Sequence, residues 1–516
     1  MILLLKLSKG VNHFMNYETV EQALEQLQKL NRTYTAYVHA LGVIELDAAT
    51  AAPSGSWEGR GDTTAILSEV MYSLISDPKN GELIAYLKDH ADALDAVQQR
   101  ELEVLDKNYR QMNRIPAEEY VAFSVLCNDA QANWEKAKKT CDFSVFQPYL
   151  EKIVEFQRKF AGYYNSDVPA YDALLNEYEE GMTMEVLDVF FAQLRAAIVP
   201  LVEKIGKKEA SEFGFMELSY PAAIQRQFSD FLMETMGLDR KHCGISESEH
   251  PFTMGFNNKD VRITTHYYEE SFLSSMFSVI HEGGHALYEL GGDDKYNHTM
   301  LYGGASMGIH ESQSRFYENL IGRSRAFAAY VLPKLKELFP EQMSDVDTDM
   351  FYRAVNGVKP SLIRIEADEL TYSLHIMVRY ELEKQLISGT LAVKDVPAAW
   401  NRLYMEYLGV EVPNDTMGCL QDIHWSFGNL GYFPSYALGS AYGAQMLAVM
   451  QQELGDVFTD VENGDLSRIT GWLRENIHQH SAFKKPGQLF EDACGKFDAK
   501  YYTEYLTQKY TELYNL

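Results

Sequence analysis

Apolar residues recur at three-to-four spacing along most of the chain, the period that lays one stripe along a helix. Tyr17 to Leu41 carries this pattern, rich in Ala, Leu, Gln and Glu, and predicts a helix. After a loop around Pro53 to Gly61 the pattern returns from Thr63 to about Tyr164. It breaks near Asp77-Pro78, Ile115-Pro116 and Gln147-Pro148, where proline pushes the preceding residue out of helical geometry. Further helices are predicted over Thr183–Lys207 and Tyr220–Gly237, and helix resumes from Gly439 to Leu516. Strand signals are sparse. The clearest is Val261 to Tyr267, β-branched and bounded by Asn257-Asn258-Lys259-Asp260. No repeat and no long Pro/Gly/Ser linker divides the chain. The reading is mainly α: an appendage over residues 1–15, with Met15 a candidate start, then one large helical domain over 16–516 with minor β near 260–268. Gly, His and aromatic density rises between residues 250 and 440, which places the chemistry there.

Composition narrows the class. The 516 residues hold 46 Lys+Arg against 74 Asp+Glu, a formal net charge of −28. A surface that negative repels phosphate backbones and anionic lipid, so neither nucleic acid nor a membrane is an expected partner. No stretch approaches the ~18 apolar residues of a membrane span. The apolar run Ile2 to Leu5 is too short for a secretory signal. The five cysteines are scattered and form no CxxC pair, which fits a reducing compartment. A cytoplasmic location is expected.

The strongest chemical signal is His281-Glu282-Gly283-Gly284-His285, ending the apolar run Phe272 to Ile280. Histidines four apart stand above one another on one helical face, so two imidazoles can share a metal ion. Glu282 is placed to take a proton from metal-bound water. Each glycine costs up to about 1 kcal/mol inside a helix, so close approach of another backbone or of substrate is expected there. A catalytic zinc needs a third protein ligand and an open position. Glu311 lies 26 residues past His285 and opens a second helical run through Phe316, Tyr317, Leu320 and Ile321. His310 is a rival, but on a helix it points about 100° away from Glu311. It reads as a neighbour that orients a ligand or lines the substrate groove.

Two further clusters offer donors. In Gly418 to Trp425, His424 can donate to an oxyanion, and Asp422 is suited to fix an imidazole. Gly428 to Tyr436 adds the phenols of Tyr432 and Tyr436. Arg364 and Arg262 have the fork that suits a carboxylate, although local partners exist for each: Glu366 or Asp368 for the first, Asp260 for the second.

Taken in order, these segments resemble the thermostable metallocarboxypeptidase family of the Taq carboxypeptidase type. The matching signatures are His250-Pro251-Phe252, DxRxT at Asp260 to Thr264, HExxH at His281 to His285, HES-Q at His310 to Gln313, IRxxAD at Ile363 to Asp368, and GxxQDxHW at Gly418 to Trp425. Asp47 to Arg60 and Ile477 to Gly495 resemble the family's early and late stretches. Leu46, Ala52 and Ala482 depart from it, away from the metal motif.

The resemblance implies a neurolysin-like helical saddle with a deep groove. It implies one divalent ion, zinc or else cobalt or manganese, on His281, His285 and Glu311, with Glu282 as general base and acid. The implied reaction is release of C-terminal residues from peptide substrates, broad in specificity and poor on proline, by a homodimer. Arg364, His424 and Tyr436 would take catalytic parts. His250, Arg262, His310, Gln421 and Tyr432 would bind substrate. The alternatives are a zinc endo-oligopeptidase of related fold, separable by a C-terminally amidated peptide, and a scaffold retaining a dead zinc site.

Overall fold

The computed structural model describes residues 17–208 and 213–516. The expected appendage over residues 1–15 lies outside them. Among the described residues helix accounts for 71%, with a single three-stranded sheet, so the mainly α class holds. Two compact units are distinguished. One comprises residues up to Ala48, Ala52–Arg114 and His298–Leu301; the other comprises Ala49–Ala51, Ile115–Asn297 and Tyr302–Leu516.

The smaller unit is built from the helix Val20–Thr50 over most of its length, with Trp57–Ser76, Pro78–Asp89 and Ala96–Arg114. Leu27, Leu30, Leu83, Leu87 and Leu105 make its core. Asn31 enters that core by donating to the buried Glu101 at 2.8 Å. Asp77 ends one helix and caps the next through Lys79 N, with Pro78 in its first turn, where the missing N–H costs nothing.

All the candidate site residues belong to the larger unit. Its sheet runs β1 (Cys243–Glu247), β3 (Asp260–Thr265), β2 (Thr253–Asn257) across, with β3 central, parallel to β1 and antiparallel to β2. Val261 and Ile263 of β3 are fully buried. The sheet is fastened to the helix Phe272–Gly291, the histidine helix, by a 2.6 Å hydrogen bond between the Thr265 and Ser278 hydroxyls. Thirteen of the 20 residues of that helix are buried, because other elements cover most of its faces.

The helix Met307–Arg315, the glutamate helix, starts at Ser306, whose hydroxyl accepts from Ile309 N, and continues as a π-helical stretch over Phe316–Gly322. It runs between the histidine helix and the helix Pro434–Leu454, and glycines permit both approaches. A Cβ on Gly284 would lie 2.6 Å from Gln313 O, and one on Gly439 would lie 2.7 Å from Glu311 Cβ. Close backbone approach is therefore the compensation for a glycine inside HExxH. Gly283 meets a side chain instead, with Met236 Sδ 2.7 Å from the same construction.

Candidate active site

Helical geometry puts His281 and His285 one turn apart on one face of the histidine helix, while the glutamate helix brings Glu311 opposite them. One donor atom from each lies within 4.8 Å of the other two. Glu311 Oε2 is 3.6 Å from His285 Nε2 and 3.9 Å from His281 Nε2. Tetrahedral coordination at ~2.0–2.1 Å bonds needs donors roughly 3.4 Å apart, so Glu311 stands within about half an ångström of that spacing from each imidazole. The imidazoles keep 19% and 16% of their side-chain exposure, enough for solvent to reach them.

The surrounding hydrogen bonds fix which nitrogen each imidazole can offer. His281 Nδ1 lies 2.8 Å from Glu318 Oε2. A carboxylate there holds the proton on Nδ1 and leaves the Nε2 lone pair for a metal. His285 Nδ1 lies 2.6 Å from His310 Nδ1, and His310 Nε2 lies 2.8 Å from Glu289 Oε1. Only one assignment leaves His285 Nε2 free as a ligand. In it His285 Nδ1 donates to His310 Nδ1, and His310 Nε2 donates to Glu289. Burial, with the charges of His310, His281 and Arg315, pushes the His285 pKa well below its ordinary value, which keeps this imidazole neutral. At His281 burial lowers the pKa, but Glu311, Glu318 and Glu282 outweigh it and raise it above its ordinary value, so a metal ion competes with a proton at Nε2. With that proton displaced, two imidazoles and a carboxylate form a donor combination suited to a divalent ion.

His310 therefore stands behind His285. Both its nitrogens are engaged within the protein. Glu318 completes a fork: Arg315 Nη1 and Arg323 Nη2 each donate to it at 3.3 Å. Burial opposes its charge, yet Arg315, His281 and Arg323 hold its carboxyl well below the usual range. The sequence reading missed Glu318 and Arg315. The signal was present, since both follow Glu311 at helical spacing.

Glu282 is buried, and its Oε2 accepts from Thr253 Oγ1 of β2 at 2.7 Å. Burial pushes its pKa up, and His281 works against that shift. The sheet thereby orients the residue beside the first histidine.

A second cluster joins five of the remaining predicted residues. Arg364 is 6% exposed; its Nε donates to Asp422 Oδ1 at 3.0 Å and its Nη1 to the Tyr372 hydroxyl at 3.1 Å. Asp422 also takes Arg379 Nε at 2.7 Å on its other oxygen. Asp422 thus binds two guanidiniums, where the sequence suggested an imidazole, and Arg364 passes over Glu366 and Asp368. Gln421 Oε1 accepts from Arg364 N at 2.9 Å and Arg379 Nη2 at 2.7 Å, while its amide donates to Leu362 O at 3.0 Å. A glutamine so saturated staples the Leu362–Arg364 segment to Arg379.

His424 Nε2 lies 3.4 Å from the Tyr436 hydroxyl, and the Tyr432 and Tyr436 rings meet edge-on at 5.3 Å. Burial, with Arg364 and Arg379, pushes His424 down to about 4 against the pull of Asp422, so it is neutral near pH 7. Its Nδ1 is buried without a protein partner. Burial raises both phenols, with Glu311 among the added causes, so they are protonated donors near the metal-site carboxylate.

Arg262 and His250 stand apart from both clusters' hydrogen bonds. Arg262 forms a two-pronged ion pair with Asp260, both prongs at 2.9 Å, the local partner the sequence offered. His250 is exposed, and its carbonyl accepts from Ser248 Oγ at 2.7 Å.

The profile of the carboxypeptidase Taq (M32) metallopeptidase family matches residues 26–510. The chain belongs to that family. It is 40% identical over 482 residues to Carboxypeptidase 1 of Bacillus subtilis, covering 93% of this chain and 96% of that protein. It is 35% identical to Thermostable carboxypeptidase 1 of Thermus thermophilus, covering 96% and 100%. Among solved structures, the M32 carboxypeptidase of Deinococcus radiodurans superposes with a TM-score of 0.93 at 36% identity, covering 96% and 100% of the two chains. As an M32 family member the chain is a metal-dependent carboxypeptidase that hydrolyses peptides. Among the described residues, no helix is long and apolar enough to cross a membrane.

Proposed function

We propose that this carboxypeptidase releases single C-terminal residues from peptides of varied sequence, poorly when that residue is proline, using one zinc ion on His281, His285 and Glu311. The observation that carries the ligand reading is the convergence of those three side chains, with both imidazoles turned by partners on Nδ1. A bound divalent ion would polarise the scissile carbonyl and acidify a water molecule; cobalt or manganese suits the same donors.

The chain's own groups supply the rest. Glu282, made more basic by burial and steadied by Thr253, takes the water proton and hands it to the departing amine. Tyr436, Tyr432 and His424 donate toward the developing negative oxygen. Arg364 and Arg379 outnumber Asp422 by one charge, and that excess supports Arg364 as the anchor for the peptide's terminal carboxylate. Arg262 and His250 then belong to the outer binding surface. The five cysteines are all unpaired, which supports a cytoplasmic setting. The homodimer rests on the family resemblance.

Glu282→Gln tests the base: hydrolysis should fall by several orders of magnitude while bound metal stays near one ion per chain. A fully active variant refutes the role. Amidating the peptide's C-terminus should abolish most cleavage, and indifference to the amide would remove Arg364's carboxylate role.

A further inference from the structure

The two oxygens of Glu311 have different surroundings. Oε2 faces the imidazole pair, at 3.6 and 3.9 Å from the two Nε2 atoms. Oε1 accepts from Arg315 Nε at 2.7 Å. Arg315 follows Glu311 by one helical turn, so the pair lies on one face. Its guanidinium is held from other directions as well. Nη1 donates to Glu318, and the group sits 4.2 Å from the centre of the Tyr372 ring. Tyr372 is itself steadied by Arg364 at its hydroxyl. The side chain keeps only 14% exposure.

Carboxylates bind metal ions through one oxygen or through both. With both, Glu311 would fill a coordination place that water or substrate needs, since a catalytic zinc relies on an open position. Chelation would require Oε1 to leave a charge-assisted bond in a place poor in water.

We propose that Arg315 is a positioning residue that keeps Glu311 a one-oxygen donor and so preserves the open coordination place. The inference rests on the ligand reading above. If Arg315 served only to neutralise Glu318, its loss would leave the coordination number unchanged. Lysine is a partial substitute, because it offers a point donor without the planar stack on Tyr372.

Two measurements test this. The first uses the native zinc-loaded enzyme: metal content, then infrared difference spectra of loaded against metal-free protein. A wide separation of the antisymmetric and symmetric carboxylate stretches is expected, as for one-oxygen binding; a narrow one, as for chelation, overturns the proposal. The second compares cobalt-loaded Arg315→Met and Arg315→Lys with the native enzyme. Arg315→Met should weaken the visible cobalt band, as a fifth donor does, and lower kcat roughly 10- to 100-fold with KM little changed. Arg315→Lys should recover part of both. A folded Arg315→Met with native band and kcat overturns the proposal, and if neither variant folds, the native infrared result decides. A native chain that binds no ion refutes the ligand reading and this inference together, whereas an ion bound by a chelating carboxylate refutes only the role of Arg315.

Discussion

Replacing Gly284 by alanine isolates how closely the two ligand helices must approach. The added Cβ would sit 2.6 Å from Gln313 O, 2.8 Å from Ser314 Cα and 3.0 Å from Gln313 C, all backbone atoms of the glutamate helix. No rotamer relieves such a contact. Ordinary van der Waals contact begins at 3.4 Å, so the helix must retreat by about 0.8 Å. Retreat separates Glu311 from His285, the neighbour of Gly284. Alanine in a helix gains about 1 kcal/mol over glycine, while overpacking costs about 1–3 kcal/mol.

Gly471 supplies the matched control. It lies in the helix Ser467–Asn476, where an added Cβ meets nothing within 4 Å. Gly471→Ala should therefore gain up to about 1 kcal/mol. The stability gap between the two variants cancels propensity and leaves the clash, about 1–3 kcal/mol. Urea unfolding of the metal-free proteins measures that gap. Competition with a chromogenic chelator measures metal affinity, which should fall roughly 10- to 100-fold in Gly284→Ala alone. Two variants of equal stability and equal metal affinity would refute the argument.

Two further outcomes are expected. Burial pushes the Glu179 carboxyl up to about 7, above the ordinary value near ~4.3, so the folded state keeps a proton the unfolded chain has released. Its contribution is present below pH ~4.3 and is lost as pH rises toward 7, at about 1.4 kcal/mol per unit. Glu179→Gln should flatten the fall in stability between pH 5 and 7 by roughly 2–3 kcal/mol, and denaturation curves whose pH dependence matches the native enzyme's would count against it. Asp422→Asn leaves Arg364 and Arg379 facing each other while both are nearly inaccessible, and should cost about 3–5 kcal/mol. A variant as stable as the native chain would show that the pair of arginines finds another counter-charge.

The legible parts of the site were those whose geometry is local. Histidines four apart meet on a helix whatever the rest of the chain does, so spacing alone brought His281 and His285 together. Arg364 shows the opposite case. Its local candidates were Glu366 and Asp368, but its partner came from residue 422, and Asp368 instead caps the following helix through Thr371 N. Arg379 gave no usable signal, because the helix Glu369–Ser388 is buried on most sides and has no polar face to mark where a charge would point. The strands β1 and β2 were missed for a related reason. CGISE and TMGFN carry glycine and polar residues in place of a β-branched run, and they are extended because both edges of β3 need hydrogen-bond partners.

The chain's charge and that of the cluster of Arg364, Arg379 and Asp422 point in opposite directions. The formal total is −28, yet Arg315, Arg364 and Arg379 all stand nearly buried around one ring and one carboxylate. Tyr372 is the junction: its ring lies under Arg315 on the metal side, and its hydroxyl accepts from Arg364 on the other. Beyond a Debye length of ~8–10 Å the acidic surface is screened and carries little information about the end of a peptide. Within contact distance the arginines dominate, because so little water remains to weaken them. Recognition of a terminal carboxylate, in the anchoring role proposed for Arg364, must then be a contact event, and the same ring that fixes that arginine also fixes the one holding Glu311.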